Sequence, residues 1–205
     1  MNNNDDRRLA MTGNSTIYIC PLSQLDTLID EVQPSHVMTL LSPDTMVDTP
    51  ASFRHGRHLQ LSINDIAAPR EGLIAPDVSH ISQMLEFVDS WNHDAPMIIH
   101  CWAGISRSTA AAYITLCHLN RWDGHETAAA SLMRRQARHA QPNRRLVALA
   151  DQLMGRQGRM ISAVEAMGPG EIEFEGMTFT MSARMSAPGQ GNTAADNAAK
   201  LISDE

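Results

Sequence analysis

Residues 97–119 read MIIHCWAGISRSTAAAYITLCHL. A short apolar run at 97–100 suits a buried strand. The turn CWAGISR follows, and STAAAYITLCHL then has the alanine-rich composition of a helix. The chain passes from an apolar strand through one tight turn into a helix. Strands interleaved with helices in this way predict a single-domain α/β fold, a mostly parallel central sheet flanked by helices.

The rest of the chain fits that plan. TIYIC at 16–20 is rich in β-formers, and Pro21 ends it. Ser23 is placed to cap a short helix running to about Val32. HVMTLL at 36–41 reads as a buried strand, and 57–63 alternates around Leu59, Leu61 and Ile63 as a third. A loop at 64–75 precedes a helix that opens at Pro76 and ends near Trp91. Two further helices are expected at 123–138 and 143–156, and one or two helical turns at 161–167.

The apolar pattern divides the chain into a flexible N-terminus at 1–14, one domain at 15–167, a possible hairpin at 168–181 and a disordered tail at 182–205. The hairpin rests on Ile172, Phe174, Met177, Phe179 and Met181, apolar on either side of Glu175-Gly176.

Charge narrows the function classes. The formal net charge is -7, which disfavours a general nucleic-acid binder. Lys200 is the only lysine, so nearly all cations are arginines. No run is long and apolar enough for a membrane span, and no signal peptide is legible at the N-terminus, so a cytoplasmic protein is expected. Cys20, Cys101 and Cys117 are too few and too unevenly placed for a disulfide framework. They have no zinc spacing, so neither metal nor cofactor is expected.

The chemistry concentrates in HCWAGISRST at 100–109. A loop between a strand end and a helix start points backbone N–H groups inward. With the helix dipole they form an anion site suited to phosphate. The cradle comprises Trp102, Ala103, Gly104, Ile105, Ser106 and Arg107, with Gly104 allowing close backbone approach. Arg107 is suited to grip two phosphate oxygens. The same field favours Cys101 as a thiolate nucleophile, exposed enough to be sensitive to oxidation. Ser108 is placed to donate to that thiolate, and His100 to orient the loop through a backbone contact. Trp102 reads equally as a pocket wall or as packing against the body.

This segment resembles the signature loop of the cysteine-dependent protein tyrosine phosphatases, His-Cys-x5-Arg-Ser/Thr. The short chain and the loop's spelling are similar to the dual-specificity branch. Residues 16–165 resemble a group of bacterial proteins described as tyrosine phosphatase-like. The resemblance implies a metal-independent phosphomonoester hydrolase working through a phosphocysteine intermediate. It also implies an upstream aspartate as general acid. Asp65 in SINDIAAP matches best, with Asp44, Asp48 and Asp77 as runners-up. Many members of the family carry a Trp before the Pro-Asp of this loop, whereas here Asn64 precedes Asp65, and a turn-forming Asn-Asp pair is the alternative. Pro142-Asn143 resembles the family's pair before the last core helix, where the asparagine braces the phosphate loop. A simple helix start is the other reading.

Arg134, Arg135, Arg138, Arg144 and Arg145 form either a solvated helix face or an attractor for an anionic substrate. Cys20 and Cys117 read as buried core thiols. The expected partner is a phosphorylated protein, on phosphotyrosine or with dual specificity, or a small phosphomonoester. No nucleic acid and no membrane are expected, and the oligomeric state stays open. Two other functions compete: a phosphate-binding module with little turnover, and sulfur or arsenate chemistry on a similar cysteine loop.

Overall fold

The central strand of the sheet is apolar on both faces. The computed structural model describes residues 15–53 and 55–187. Its strands are β1 (Thr16–Pro21), β2 (His36–Leu41), β3 (Arg57–Ser62), β4 (Met97–Cys101) and β5 (Phe179–Ser182). Its helices are α1 (Leu25–Val32), α2 (Val78–Asp89), α3 (Arg107–Leu119), α4 (His125–Gln136), α5 (Arg144–Leu153) and α6 (Arg159–Met167). The strands lie in the order β3-β2-β4-β1-β5. The first four run parallel, and β5 is antiparallel to β1.

β4 has a parallel neighbour on each side, with Cys101 opposite Pro21 of β1 and Leu40 of β2. Helices cover both faces, so every residue of β4 and of β2 is buried. That is why both strands read as continuous apolar runs rather than as alternation.

One face carries the larger core. There α3 packs on β4 and β1, enclosed by α2, α4 and α5. Its alanines permit this: Ala110, Ala111 and Ala112 are wholly buried, and so is Tyr113. The other face carries a smaller core of Leu25, Leu28, Ile29, Val37, Phe53 and Ile98 under α1. Cys20 belongs to this smaller core and Cys101 to the larger, so the sheet separates the two thiols. Burial pushes Cys20 up to about 12, with Cys101 adding to it. Cys117 is also pushed to about 12 by burial within α3. All three cysteines are free.

Local chemistry sets the helix starts. Asp77 caps α2, accepting from the N–H groups of Ser79 at 2.8 Å and His80 at 3.3 Å. His80 Nδ1 accepts in return from the Asp77 N–H at 3.1 Å. Asn143 caps α5 in the same way. Ser23, expected to cap α1, does not: it lies in a 3-10 turn, Leu22–Gln24, and α1 has no side-chain cap. Its hydroxyl donates instead to Glu175 at 2.7 Å.

No hairpin forms at 168–181. Phe179–Ser182 pairs with β1, from Ile19 opposite Phe179 to Thr16 opposite Ser182. Its neighbour was already a strand, so the upstream limb, 171–177, is left as an extended strap without a ladder partner. Order also continues past Ser182. Ala183 donates to Ser15 at 2.8 Å, and Asn120 bonds both the Ala183 carbonyl at 2.9 Å and the Met185 N–H at 3.0 Å. The expected flexible residues 1–14, and 188–205 of the expected tail, lie outside the described residues. Among the described residues no helix is long and apolar enough to cross a membrane.

Candidate active site

Cys101 is the last residue of β4, at the carboxyl end of the parallel strands, where open α/β sheets bind ligands. Arg107 opens α3, and the residues between them form the loop. Four carbonyls of this loop are taken by N–H groups from outside it. Trp102 accepts from Leu22 N–H at 3.1 Å, Ala103 from Gly176 at 2.8 Å, Ile105 from Gln141 at 2.9 Å and Ser106 from Asn143 at 3.2 Å. Among the described residues the N–H groups of Ala103 to Ser106 have no backbone acceptor. The loop therefore presents donors on its inner side, the arrangement an oxyanion requires.

Gly104 is needed for the fold of this loop. Its φ is 69°, and a Cβ there would stand 2.8 Å from the Pro21 nitrogen.

Cys101 Sγ lies 3.1 Å from Oγ of Ser108, the second residue of α3. The thiol is only 2 % exposed, so it sits at the floor of the loop rather than in the open position expected. Trp102 is its opposite: 53 % exposed, it faces solvent at the rim instead of packing against the body.

Arg107 is buried. One terminal nitrogen donates to the Ile63 carbonyl at 2.8 Å and lies 3.4 Å from Ser42 Oγ. Its Nε is buried without a hydrogen-bond acceptor. The Asp65 carboxylate approaches it at 3.9 Å, beyond bonding distance. A buried cationic donor left open beside a ring of free N–H groups is suited to take an anion.

Asp65 touches the loop. Its Oδ1 accepts from Ser106 Oγ at 2.7 Å and from Asn143 Nδ2 at 2.7 Å. Asn143 meets both readings of its sequence. Its Oδ1 accepts from Arg145 and Leu146 N–H at 3.0 and 3.1 Å, and its own N–H holds Ser106 of the loop. Asp77 is committed to capping α2.

His100 points to the opposite face from Cys101. Its Nε2 bonds Thr39 Oγ1 at 2.5 Å, Thr39 bonds His58 at 2.7 Å, and His58 bonds Thr49 at 2.8 Å. Its Nδ1 is buried without a hydrogen-bond partner among the described residues. Burial, reinforced by the charges of His58 and Arg107, pushes His100 down to about 3, so the ring is neutral.

Several contacts were not read from the sequence. Thr39, a polar residue inside the run HVMTLL, is a signal of a buried hydrogen bond. Asn64 pins the base of the acid loop, its Oδ1 accepting from Ile74 N–H at 2.8 Å. Gln141 and Gly176 reach the loop through main-chain atoms, which side-chain patterns do not reveal. Three of the clustered arginines serve as tethers: Arg134 to the Gly168 carbonyl at 3.0 Å, Arg138 to Glu171 at 2.8 Å and Arg145 to the Pro76 carbonyl at 2.6 Å.

Residues 69–144 match the family model for protein-tyrosine phosphatase. The matched segment is similar to that family and covers the centre of the chain. The match supports a cysteine-dependent phosphatase, and the matched residues span Cys101 and Arg107.

Solved structures agree on the fold. The Yvh1 phosphatase domain from Chaetomium thermophilum superposes with a TM-score of 0.52 at 19 % identity, covering 70 % of this chain and 93 % of that one. The human tyrosine phosphatase-like serine/threonine/tyrosine-interacting protein gives 0.52 at 15 % identity, covering 69 % and 92 %. PTPMT1 in complex with PI(5)P gives 0.51 at 17 % identity, covering 70 % and 96 %. No curated protein sequence matches the chain significantly.

Proposed function

We propose that this phosphatase hydrolyses phosphomonoesters on proteins, phosphotyrosine first and phosphoserine or phosphothreonine beside it, without metal or cofactor. The observation that carries this reading is the assembly at one loop. A buried thiol sits 3.1 Å from Ser108 Oγ, below free N–H groups and the open Nε of Arg107. Asp65 is held at the rim by Ser106 and Asn143.

The roles follow from position. Arg107 and the N–H groups of Ala103 to Ser106 hold the phosphoryl oxygens. Cys101 Sγ attacks phosphorus and forms the S–P bond as the ester P–O bond breaks. Asp65 gives its proton to the departing oxygen. In the second step Asp65 takes a proton from water, whose oxygen displaces sulfur and releases inorganic phosphate. Ser108 donates to the thiolate as it leaves. His100, kept neutral by burial and bonded to Thr39, braces the strand end beneath the loop.

The substrate class rests on the rim. Trp102 faces solvent, and the loop's WAGIS carries no cation besides Arg107. This favours a side-chain phosphate over a highly charged inositol headgroup. Three cysteines without a disulfide accord with action in the cytoplasm.

The test is p-nitrophenyl phosphate turnover in the presence of EDTA. Activity that survives EDTA and disappears in Cys101→Ser supports the reading. A folded wild type that binds phosphopeptide but does not turn over would make the loop a reader, and the proposal wrong.

A further inference from the structure

The described residues expose eight large apolar side chains, and seven of them lie at the phosphate loop or on the two segments beside it. Leu73, Ile74 and Val78 follow the acid loop on one side, and Trp102 stands on the loop itself. Ile172, Phe174 and Met177 belong to the strap on the other side. Ile172 and Phe174 are the extreme cases, at 101 % and 95 % exposure.

The strap is not loose chain. Gly176 N–H donates to the Ala103 carbonyl of the phosphate loop at 2.8 Å, and Glu171 N–H to the Arg138 carbonyl at 2.9 Å. The Glu171 carboxylate pairs with Arg138 at 2.8 Å, and Glu175 accepts from Ser23 at 2.7 Å. Position 176 must be glycine for this closure: a Cβ would stand 2.5 Å from His139 Nε2 and 3.1 Å from the Gly104 carbonyl. A fixed backbone thus holds two large apolar side chains out in water, where they contribute nothing to folding. Apolar surface gathered at one place and kept exposed marks an interaction site.

Charge chooses the occupant. The strap alternates glutamate with apolar residues, Glu171-Ile172-Glu173-Phe174-Glu175. Glu171 and Glu175 are engaged, whereas Glu173 has no hydrogen bond or ion pair among the described residues. Beside the strap lies a cavity of about 380 Å³ lined by Glu171, Glu173 and Glu175 and also by Arg135 and by Arg138, which Glu171 already pairs. An anionic bilayer is repelled by such an edge, and by a chain of net charge -7. A polypeptide bearing apolar and basic side chains complements it.

We propose that the strap at 171–177 is a docking edge for the substrate protein, which receives apolar and basic residues flanking the phosphorylated side chain. This rests on the phosphatase reading above and names its substrate class. The strap touches the same loop that holds the phosphate, so phosphate and flanking residues engage together.

The test measures Kd by calorimetry on the full chain carrying Cys101→Ser. The ligands are phenyl phosphate, a phosphotyrosyl peptide flanked by Leu and Arg, and the same peptide flanked by Ser and Asp. The Leu/Arg peptide is expected to bind about tenfold tighter than the Ser/Asp peptide, given the apolar area available. Adding Ile172→Ser with Phe174→Ser is expected to remove the gap and leave phenyl phosphate binding unmoved. Glu173→Arg is expected to narrow it. Equal binding of the two peptides overturns the proposal, as does a gap that survives the double substitution. Wild-type binding to phosphatidylglycerol vesicles that the double substitution abolishes also overturns it, in favour of a lipid surface. Failure of the phosphatase reading shows separately, as absent p-nitrophenyl phosphate turnover by the wild type, because the peptide gap is read without turnover.

Discussion

Asn143 Nδ2 and Asp65 Oδ1 stand 2.7 Å apart, although 78 positions separate them in the chain. One asparagine thus caps α5, holds Ser106 of the loop and fixes the proposed acid. Replacing its side chain removes the cap and the hold on Asp65, while its backbone N–H still reaches Ser106. Asn143→Ala is expected to cost about 1 kcal/mol of stability for the lost cap. It is also expected to slow an alkyl phosphate more than p-nitrophenyl phosphate, because only the former needs its leaving group protonated. Asn143→Asp keeps the cap but sets a second carboxylate against Asp65. The expected result is a pH–rate profile whose acid-dependent limb moves to higher pH.

Asp65→Asn removes the proton. Turnover of a phosphotyrosyl peptide is expected to fall by about 10²-fold, within the range for general acid catalysis. The activated leaving group of p-nitrophenyl phosphate should mask most of that loss. Steady-state kinetics on both substrates, side by side, checks the split. Equal losses on the two would remove Asp65 from the acid role.

Ser108→Ala acts on the second step. Without the 3.1 Å contact, the leaving thiolate loses a donor, and the phosphocysteine should accumulate. Rapid-quench kinetics should show a burst of p-nitrophenol near one equivalent, followed by a slower steady state. Cys101→Ser should show neither phase.

Acid should destabilise the fold through two buried histidines. Burial and the Arg57 charge push His36 down to about 4, and burial pushes His100 to about 3, from an ordinary 6.5. Between those values the unfolded chain binds more protons than the native one. Their stability contribution is therefore present above pH 6.5 and is lost as the pH falls toward 4 and then 3. Each adds a slope of up to about 1.4 kcal/mol per pH unit. Urea melts between pH 7 and 4.5 should show the decline, and His36→Gln should flatten it.

Gly104→Ala tests the backbone of the loop. The φ of 69° and the 2.8 Å approach to the Pro21 nitrogen leave no room for a methyl group. A loss of about 1–3 kcal/mol is expected from the backbone conformation alone. Weaker orthophosphate binding should accompany it, and calorimetry reads both.

The sequence carried the strands and most helices because their signals are local. HVMTLL and MIIH are apolar but for His36, Thr39 and His100 since both of their faces are covered, and Asn143 marks the start of α5 by its capping chemistry. The loop was legible because nucleophile, glycine and arginine lie within one short segment. What escaped was non-local. Period-two alternation through 172–181 is equally consistent with a hairpin and with one strand beside β1, since alternation does not name a partner. The burial of Cys101 escaped for the same reason: it depends on β1 and β2 closing around β4. Asp65 could be nominated from its place after β3, but its bond to Asn143 joins two loops that only the folded sheet brings together.

Thr16 pairs with Ser182, so the last strand of the sheet docks on the first. During synthesis, β1 to β4 and the phosphate loop are all available before β5 emerges. Pairing of β1 with β5 is the most non-local contact in the sheet, and such contacts form late. The strap, which lies between α6 and β5 and is bonded to Ala103, has its far end fixed only when that strand docks. The order of assembly is therefore loop first, flank last. A nascent chain would acquire its phosphate cradle while the surface proposed to read the substrate protein was still unfinished.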